Sequence, residues 1–182
     1  QLARINIMGM AGSLRQASYN RAALRAAMEL LPAEANLDIV DLAPIPFFNE
    51  DLESQSLPEP VLDLADRAKK ADALLLCPPE YNYSVAPVMK NAIDWLSRAS
   101  TGEPISGKPV ALMSASIGMF GGARAQYHLR QTCVVVNLLP LNKPEVFIMQ
   151  AQNKFDADLK LTDDYTRGAI KKLLQALVDW TR

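Results

Sequence analysis

Cysteine, histidine and surplus charge are all scarce in this sequence. It has two cysteines, Cys77 and Cys133, and one histidine, His128. Both cysteines sit inside apolar runs without metal-ligand spacing, so they read as small buried hydrophobes rather than a redox pair, and no metal site is expected. The 19 basic and 20 acidic side chains nearly cancel. That excludes the clustered basic surface of a nucleic-acid binder and disfavours a strongly acidic carrier that docks by charge steering. No apolar run reaches the roughly 20 residues that cross a bilayer, so no membrane partner is expected. The opening residues show no signal-peptide pattern, and a reducing cytoplasm is the expected compartment. Two phosphate fingerprints are missing as well, G-x-G-x-x-G and G-x-x-x-x-G-K-[ST]. Their absence favours a terminal monophosphate over a pyrophosphate or triphosphate.

What is present fits one domain spanning residues 1–182, with a single sizeable core. Short apolar runs alternate with helical patterns. Ile5–Gly9, Leu37–Val40, Ala73–Cys77, Val110–Met113 and Val146–Met149 read as five strands. The run Ala73–Cys77 is continuously apolar, the mark of a strand covered on both faces. Between the strands, Ala23, Leu24, Ala27, Met28 and Leu31 share one helical face, as do Val61, Leu64, Ala65 and Ala68. Met89, Ile93 and Leu96 form another stripe, and Ile170, Leu173, Leu174 and Leu177 a last one. Five repeats of strand then helix mean right-handed βαβ units and an α/β fold with a parallel sheet. The stretch Cys133–Leu141 allows two readings: Val134-Val135-Val136 extends the helix begun near Ala123, or it starts a strand.

Ligands of such open sheets bind beyond the carboxyl ends of the strands, so the loops after strands one, three and four matter most. The first, Gly9 to Asn20, offers Ser13, Ser18 and Asn20 at a helix N-terminus, with Arg15 as a fixed planar cation. Ordinary helix capping by Ser18 or Asn20 explains part of the same pattern. The second, Pro78 to Pro87, is stiffened by Pro78 and Pro79. It carries Tyr81 and Tyr83, flat apolar rings with polar tips suited to a planar heterocycle or to simple packing. The third, Ser114 to Arg124, has three glycines and two serines that allow close backbone approach. Together, at one sheet edge, the three loops describe a mononucleotide site with a planar head group.

These motifs resemble the NADPH-dependent FMN reductase family, and most of all its bacterial branch of chromate or quinone reductases. Gly12-Ser13-Leu14-Arg15 with Ser18 and Asn20, Pro79 to Ser84, Lys90 to Arg98, Gly121 to Arg124 and Asn142-Lys143-Pro144-Glu145 carry the resemblance in order, from Ile5 to about Lys154. It implies a flavodoxin-like three-layer sandwich with a five-stranded parallel sheet, bound FMN, and NADPH or NADH as co-substrate. Carried over by position, Ser13, Arg15, Ser18 and Asn20, with Tyr19 between them, hold the phosphate end. Pro79, Glu80, Tyr81, Asn82 and Tyr83 lie against the isoalloxazine, and Ser116 with Gly118 finishes the ring pocket. It also implies a homodimer or homotetramer, with Arg124, Tyr127 and Glu145 in a polar network between subunits. One departure stands out. The family usually has Pro-Gly directly after Tyr-Ser-(Ile or Val), where this chain has Val85-Ala86-Pro87-Val88. Val88 is expected to add bulk near the flavin and alter acceptor preference.

The mechanism implied is a ping-pong cycle that delivers hydride from the nicotinamide to the flavin, then two electrons to a quinone, chromate or another small acceptor. No catalytic acid or base is assigned. His128 reads as an exposed or interface residue, and Trp95 and Trp180 as packing residues. Phe47 and Phe48 suit local packing or the cover of a neighbouring subunit's flavin. No isolated basic cluster that would read the 2′-phosphate of NADPH is visible. Two alternatives stay open: a flavodoxin-type electron carrier, and an azo or nitro reductase. A phosphate-binding domain without flavin is a third.

Overall fold

The computed structural model describes residues 3–182. It begins with β1 (Ile5–Ala11), α1 (Tyr19–Glu29), β2 (Ala35–Val40), α2 (Glu50–Gln55), α3 (Glu59–Lys70) and β3 (Ala73–Cys77). A small hairpin follows, β4 (Glu80–Tyr81) and β5 (Ser84–Val85), then α4 (Pro87–Leu96), β6 (Pro109–Ala115) and α5 (Ala123–Val135). The chain ends with β7 (Leu139–Pro140), β8 (Val146–Ile148) and α6 (Asp164–Thr181).

Alternation along the central strands builds two apolar layers. Ile7 and Ala11, Leu75 and Cys77, and Ala111 and Met113 face one side with α1 and α6. Met8 and Met10, Leu74 and Leu76, and Val110 and Leu112 face the other with α3, α4 and α5. Strands buried on both faces need apolar residues at every position, which is why their sequences read as unbroken runs. Trp95 is wholly buried in the second layer; its indole N–H donates to the Pro46 carbonyl at 2.8 Å, and Phe48 meets it edge-on at 4.9 Å between ring centroids.

The sheet order is β2-β1-β3-β6, with β7 and β8 both on the outer edge of β6, and every pairing within it is parallel. β7 pairs with Pro109 and Val110, β8 with Met113 to Ala115, so two short segments share the fifth position. Taken as one strand, they complete the five-stranded parallel sheet in the order 2-1-3-4-5 of flavodoxin-like folds. The connection from β1 leads outward to β2 and the next returns past β1 to β3. The loops after β1 and β3 therefore diverge, and the crevice between them is the expected ligand position.

The ambiguous run takes its helical reading: Val134 and Val135 end α5 and Val136 caps it, while the strand that follows, β7, starts only at Leu139. One stripe is corrected: Met28 is 48% exposed, at the edge of the face that Ala23, Leu24 and Ala27 fill, and Leu31 lies beyond the end of α1.

Candidate functional site

The first loop turns at Gly12, whose N–H donates to the Cys77 carbonyl at 3.1 Å. A Cβ there would stand 2.8 Å from Pro79 Cδ and 2.9 Å from Met89 Cβ. Only glycine lets this loop lie directly on the loop after β3. Ser13 follows, buried, and residues 14–17 are exposed. Ser18 caps α1: its hydroxyl accepts from the N–H groups of Asn20 at 3.2 Å and Arg21 at 3.4 Å. Among the described residues, the backbone N–H groups of residues 13–17 meet no protein acceptor. These groups, the Ser13 hydroxyl, the Arg15 guanidinium and the positive end of α1 form a donor set for a phosphate monoester.

Asn20 is held behind this loop. Its side chain accepts from the Ala115 N–H at 2.9 Å and donates to the Ala115 carbonyl at 3.0 Å, so both ends of the amide are engaged and α1 is tied to the end of β6. The Tyr19 ring tilts against Phe155 with 5.3 Å between centroids, and the Arg15 guanidinium lies 6.0 Å from the Tyr19 ring centre.

After β3, Pro78 and Pro79 are buried and the β4–β5 hairpin projects from the sheet edge. Asn82 and Tyr83 form its tip with φ of 51° and 71°. Two consecutive left-handed residues make the turn that matches the twist of a tight hairpin. Glycine normally supplies them, so a tyrosine there is strained by roughly 1–2 kcal/mol. Arg124 braces the strained tip. Its guanidinium carbon lies 3.7 Å from the Tyr83 ring centre and 4.5 Å from that of Phe120. Its Nε lies 2.5 Å from Glu80 Oε1, although the N–H is poorly aligned on that oxygen, so the contact is an ion pair more than a hydrogen bond. The Arg124 backbone N–H donates to the other Glu80 oxygen at 3.2 Å. The Glu80 side chain keeps only 8% exposure. Tyr81 and Tyr83 stay open, at 47% and 67% exposure, and the Tyr81 hydroxyl reaches Ser13 Oγ at 3.5 Å, the outer limit of a hydrogen bond.

The third loop is anchored from within. Ser114 Oγ donates to the Gly121 carbonyl at 2.5 Å and accepts from Gln126 Nε2 at 2.8 Å, and that nitrogen also donates to the Val146 carbonyl at 2.9 Å. Gly122 has φ 83°, and a Cβ on it would lie 2.7 Å from Ser114. Ser116 receives the Gly118 N–H at 3.2 Å, and the Gly118 carbonyl accepts from Gln150. Ile117, Met119 and Phe120 remain exposed, and Phe120 shares the Arg124 guanidinium with Tyr83. Ser13, Arg15, Ser18, Pro79, Tyr81, Asn82, Tyr83, Ser116 and Gly118 thus stand on loops at one sheet edge. Glu80 faces Arg124, and Asn20 faces Ala115.

Within the chain, Arg124 pairs with Glu80, and the Tyr127 hydroxyl donates to Glu145 at 3.2 Å. Val88 is half-buried and packs against the layer of α3 and α4, while Pro87, at the first position of α4, is exposed. Phe48 packs on Trp95, Phe47 is exposed, and Trp180 is half-exposed. Burial pushes the Cys133 thiol up to about 11 and the Cys77 thiol well above the usual range, which suits inert core residues. The bracing role of Arg124 was not foreseen; the sequence signal for it is an aromatic, Tyr83, where a hairpin tip calls for glycine.

Residues 5–153 match the model of the NADPH-dependent FMN reductase family. An NAD(P)H-dependent FMN reductase of Pseudomonas aeruginosa is 51% identical over 178 residues, covering 98% of this chain and 96% of that protein. An NAD(P)H:quinone oxidoreductase of Solanum tuberosum is 43% identical, covering 95% and 91%. Among solved structures, the flavoenzyme NAD(P)H:(acceptor) oxidoreductase FerB of Paracoccus denitrificans superimposes with a TM-score of 0.88 at 33% identity, over 97% of each chain.

Proposed function

The chain belongs to the NADPH-dependent FMN reductase family, and from that premise we propose that it passes two electrons from NAD(P)H, by way of bound FMN, to a quinone-type acceptor. One observation carries the reading. Unpaired N–H groups at residues 13–17 lie beside an exposed Tyr81 whose hydroxyl touches Ser13, so a phosphate cradle and a planar wall adjoin. The donor chemistry fits a flavin mononucleotide: a terminal phosphate needs these free donors, and a planar ring needs a flat, open, apolar rim.

Bound FMN supplies the chemistry of taking up hydride and giving up an electron pair. The chain supplies position. Ser13 and Arg15 hold the phosphate, Ser18 and Asn20 set the loop, and Tyr19 walls it. Pro79 to Tyr83 lie along the ring, and Ser116 and Gly118 close its far side. No acid or base side chain is assigned; backbone N–H groups facing the ring would supply the stabilisation of negative charge that the chemistry calls for. Tyr81, Tyr83 and Phe120 are exposed, so a flavin held against this edge would keep one face open, where nicotinamide and acceptor would take the same place in turn, a ping-pong order. The names of the relatives support a quinone acceptor. Chromate and other small oxidants belong to the same proposed range.

We further place the enzyme in the cytoplasm, as a homodimer or homotetramer. Among the described residues no helix is long and apolar enough to cross a membrane. Val134 and Val135, adjacent and more than 80% exposed at the end of α5, are apolar side chains suited to a subunit contact.

The test is an anaerobic titration of the FMN-loaded protein with NADPH and NADH, followed by flavin absorbance. Bleaching, then recovery on adding a quinone, supports the cycle. A flavin that stays oxidised with both nucleotides identifies a carrier instead. Failure to retain FMN overturns the reading.

A further inference from the structure

A second cavity, of about 250 Å³, opens between α1 and the end of β2. Its floor is apolar, made by Leu24, Ile39 and Leu42. Arg21 and Arg25, one turn apart on α1, line one side. Among the described residues neither guanidinium enters an ion pair, although five other arginines do. Asp41, the first residue beyond β2, lines the opposite side. One of its carboxylate oxygens accepts the Ala43 N–H at 3.1 Å, which fixes the group and leaves the second oxygen free.

This combination is selective. Two unpaired guanidiniums favour a dianion, and their planar forks suit phosphate. An oriented carboxylate accepts from a hydroxyl. An apolar floor takes the face of a heterocycle. A phosphorylated nucleoside with a free hydroxyl offers all three. Ser13 also lines the cavity, so it shares a wall with the loop that holds the FMN phosphate.

Distance favours one such ligand. β2 lies two strands from β3 and three from β6. At about 4.8 Å per strand, the cavity is on the order of 10–14 Å along the sheet edge from the loops that bear Tyr81 and Ser116. A dinucleotide with its nicotinamide over the ring and its chain crossing residues 13–17 spans that gap.

We propose that the α1–β2 cavity binds the adenosine 2′-phosphate end of NADPH, and that Arg21 and Arg25 select NADPH over NADH. The proposal rests on the reductase reading above and names the co-substrate preference within it. The 2′-phosphate lies between the two guanidiniums, and the 3′-hydroxyl donates to Asp41.

Two measurements on the FMN-loaded protein test it. In calorimetry, adenosine 2′,5′-bisphosphate should bind at least about 10-fold more tightly than 5′-AMP, since each charged hydrogen bond lost costs roughly 10–100-fold. R21Q/R25Q should erase that difference. In steady-state kinetics the same variant should lose about 10–100-fold in kcat/KM for NADPH. Its value for NADH should change by less than about twofold, a difference that leaves binding free energy nearly unmoved. Equal binding of the two adenosine phosphates, an unchanged NADPH-to-NADH ratio in the variant, or equal loss with both nucleotides overturns the proposal. Those results leave the reductase reading intact as long as either nucleotide bleaches the flavin. If neither does, that reading fails, and the calorimetry still decides whether the cavity selects a 2′-phosphate.

Discussion

The brace at the hairpin tip yields a prediction whose size follows from the contacts. Asn82 and Tyr83 adopt left-handed φ, at a cost of about 1–2 kcal/mol for each non-glycine residue and less for asparagine. Arg124 offsets this through its ion pair with Glu80, worth on the order of 1–3 kcal/mol for a charge-assisted contact. Its position between the Tyr83 and Phe120 rings adds about 0.5–1 kcal/mol per ring. In Arg124→Ala these contacts disappear, and the carboxylate of Glu80 keeps a single backbone donor. Allowing for partial rescue by solvent, the ordered hairpin loses about 2 kcal/mol, a factor of roughly 30 in its population relative to open forms. Where the ordered hairpin is the form that would meet the ring, apparent FMN affinity should fall by the loss in its fraction, from about twofold up to the full 30-fold as the open form comes to predominate. Titration of apoprotein with FMN, followed by quenching of flavin fluorescence, reads this directly. The hairpin lies outside the sheet layers, so Tm should fall by less than about 4 °C. Arg124→Lys keeps a charge near Glu80 but loses the planar stack, and should fall between wild type and the alanine variant. An FMN affinity within twofold of wild type in Arg124→Ala would refute the brace.

Four further outcomes are expected. Asn20→Ala leaves both backbone groups of Ala115 unpaired in a buried position; at about 1–3 kcal/mol per group, Tm should drop by roughly 4–10 °C, and an unchanged melting curve would remove the clamp from the account. Gly122→Ala combines a φ of 83° with a Cβ 2.7 Å from Ser114; a loss of about 2–4 kcal/mol in denaturant unfolding is expected, and a neutral effect would show that the third loop yields freely. Asp163 caps α6, and the Thr166 hydroxyl, then the Thr166 N–H, hold its carboxyl below the usual range. Its stabilisation is therefore complete above about pH 4 and fades as pH falls through the folded value; Asp163→Ala should cost about 1 kcal/mol at neutral pH, and the gap in Tm to wild type should close in acid. Cys133, pushed up to about 11, and Cys77, also raised by burial, should resist a thiol reagent at pH 8 in the native protein and react once it is denatured; rapid labelling of either in the folded state contradicts their burial.

The sequence announced the central strands because burial on both faces demands apolar residues at each step, as in Ala73–Cys77. The shorter elements lacked that signature. β7 contributes two residues, and β4 and β5 pair only Glu80 with Val85 and Tyr81 with Ser84, too few for any period to register. Nor does Asn82-Tyr83 carry the glycine that marks a tight hairpin. α2 has no buried face and so carried no stripe; its start is set by Asn49, which accepts from the Asp51 N–H, followed by acidic residues in the first turn. Loop chemistry could be read by type while its partners could not. Asn20 showed itself as a polar residue at a helix start, but nothing local says that its amide closes on Ala115 rather than on a phosphate.

The pairs that assemble the site are distant in sequence: 95 residues separate Asn20 from Ala115, 68 separate Tyr81 from Ser13, and 44 separate Arg124 from Glu80. Each joins loops that leave different strands, so none can close before the sheet sets those strands side by side. The proposed phosphate cradle is thus a property of the finished β1–β3–β6 order, and no one loop would hold its shape alone. The same dependence explains why strain at Tyr83 is tolerated. A tip tied to α5 through Arg124 relaxes only by giving up a nearly buried ion pair, and the assembled edge keeps its aromatic wall in place before any ligand arrives. Co-substrate choice, by contrast, falls to Arg21 and Arg25 on the outer side of α1, where side chains can change without disturbing the ring-binding loops. On the proposed arrangement one face of α1 would hold the flavin and the other would select what reduces it.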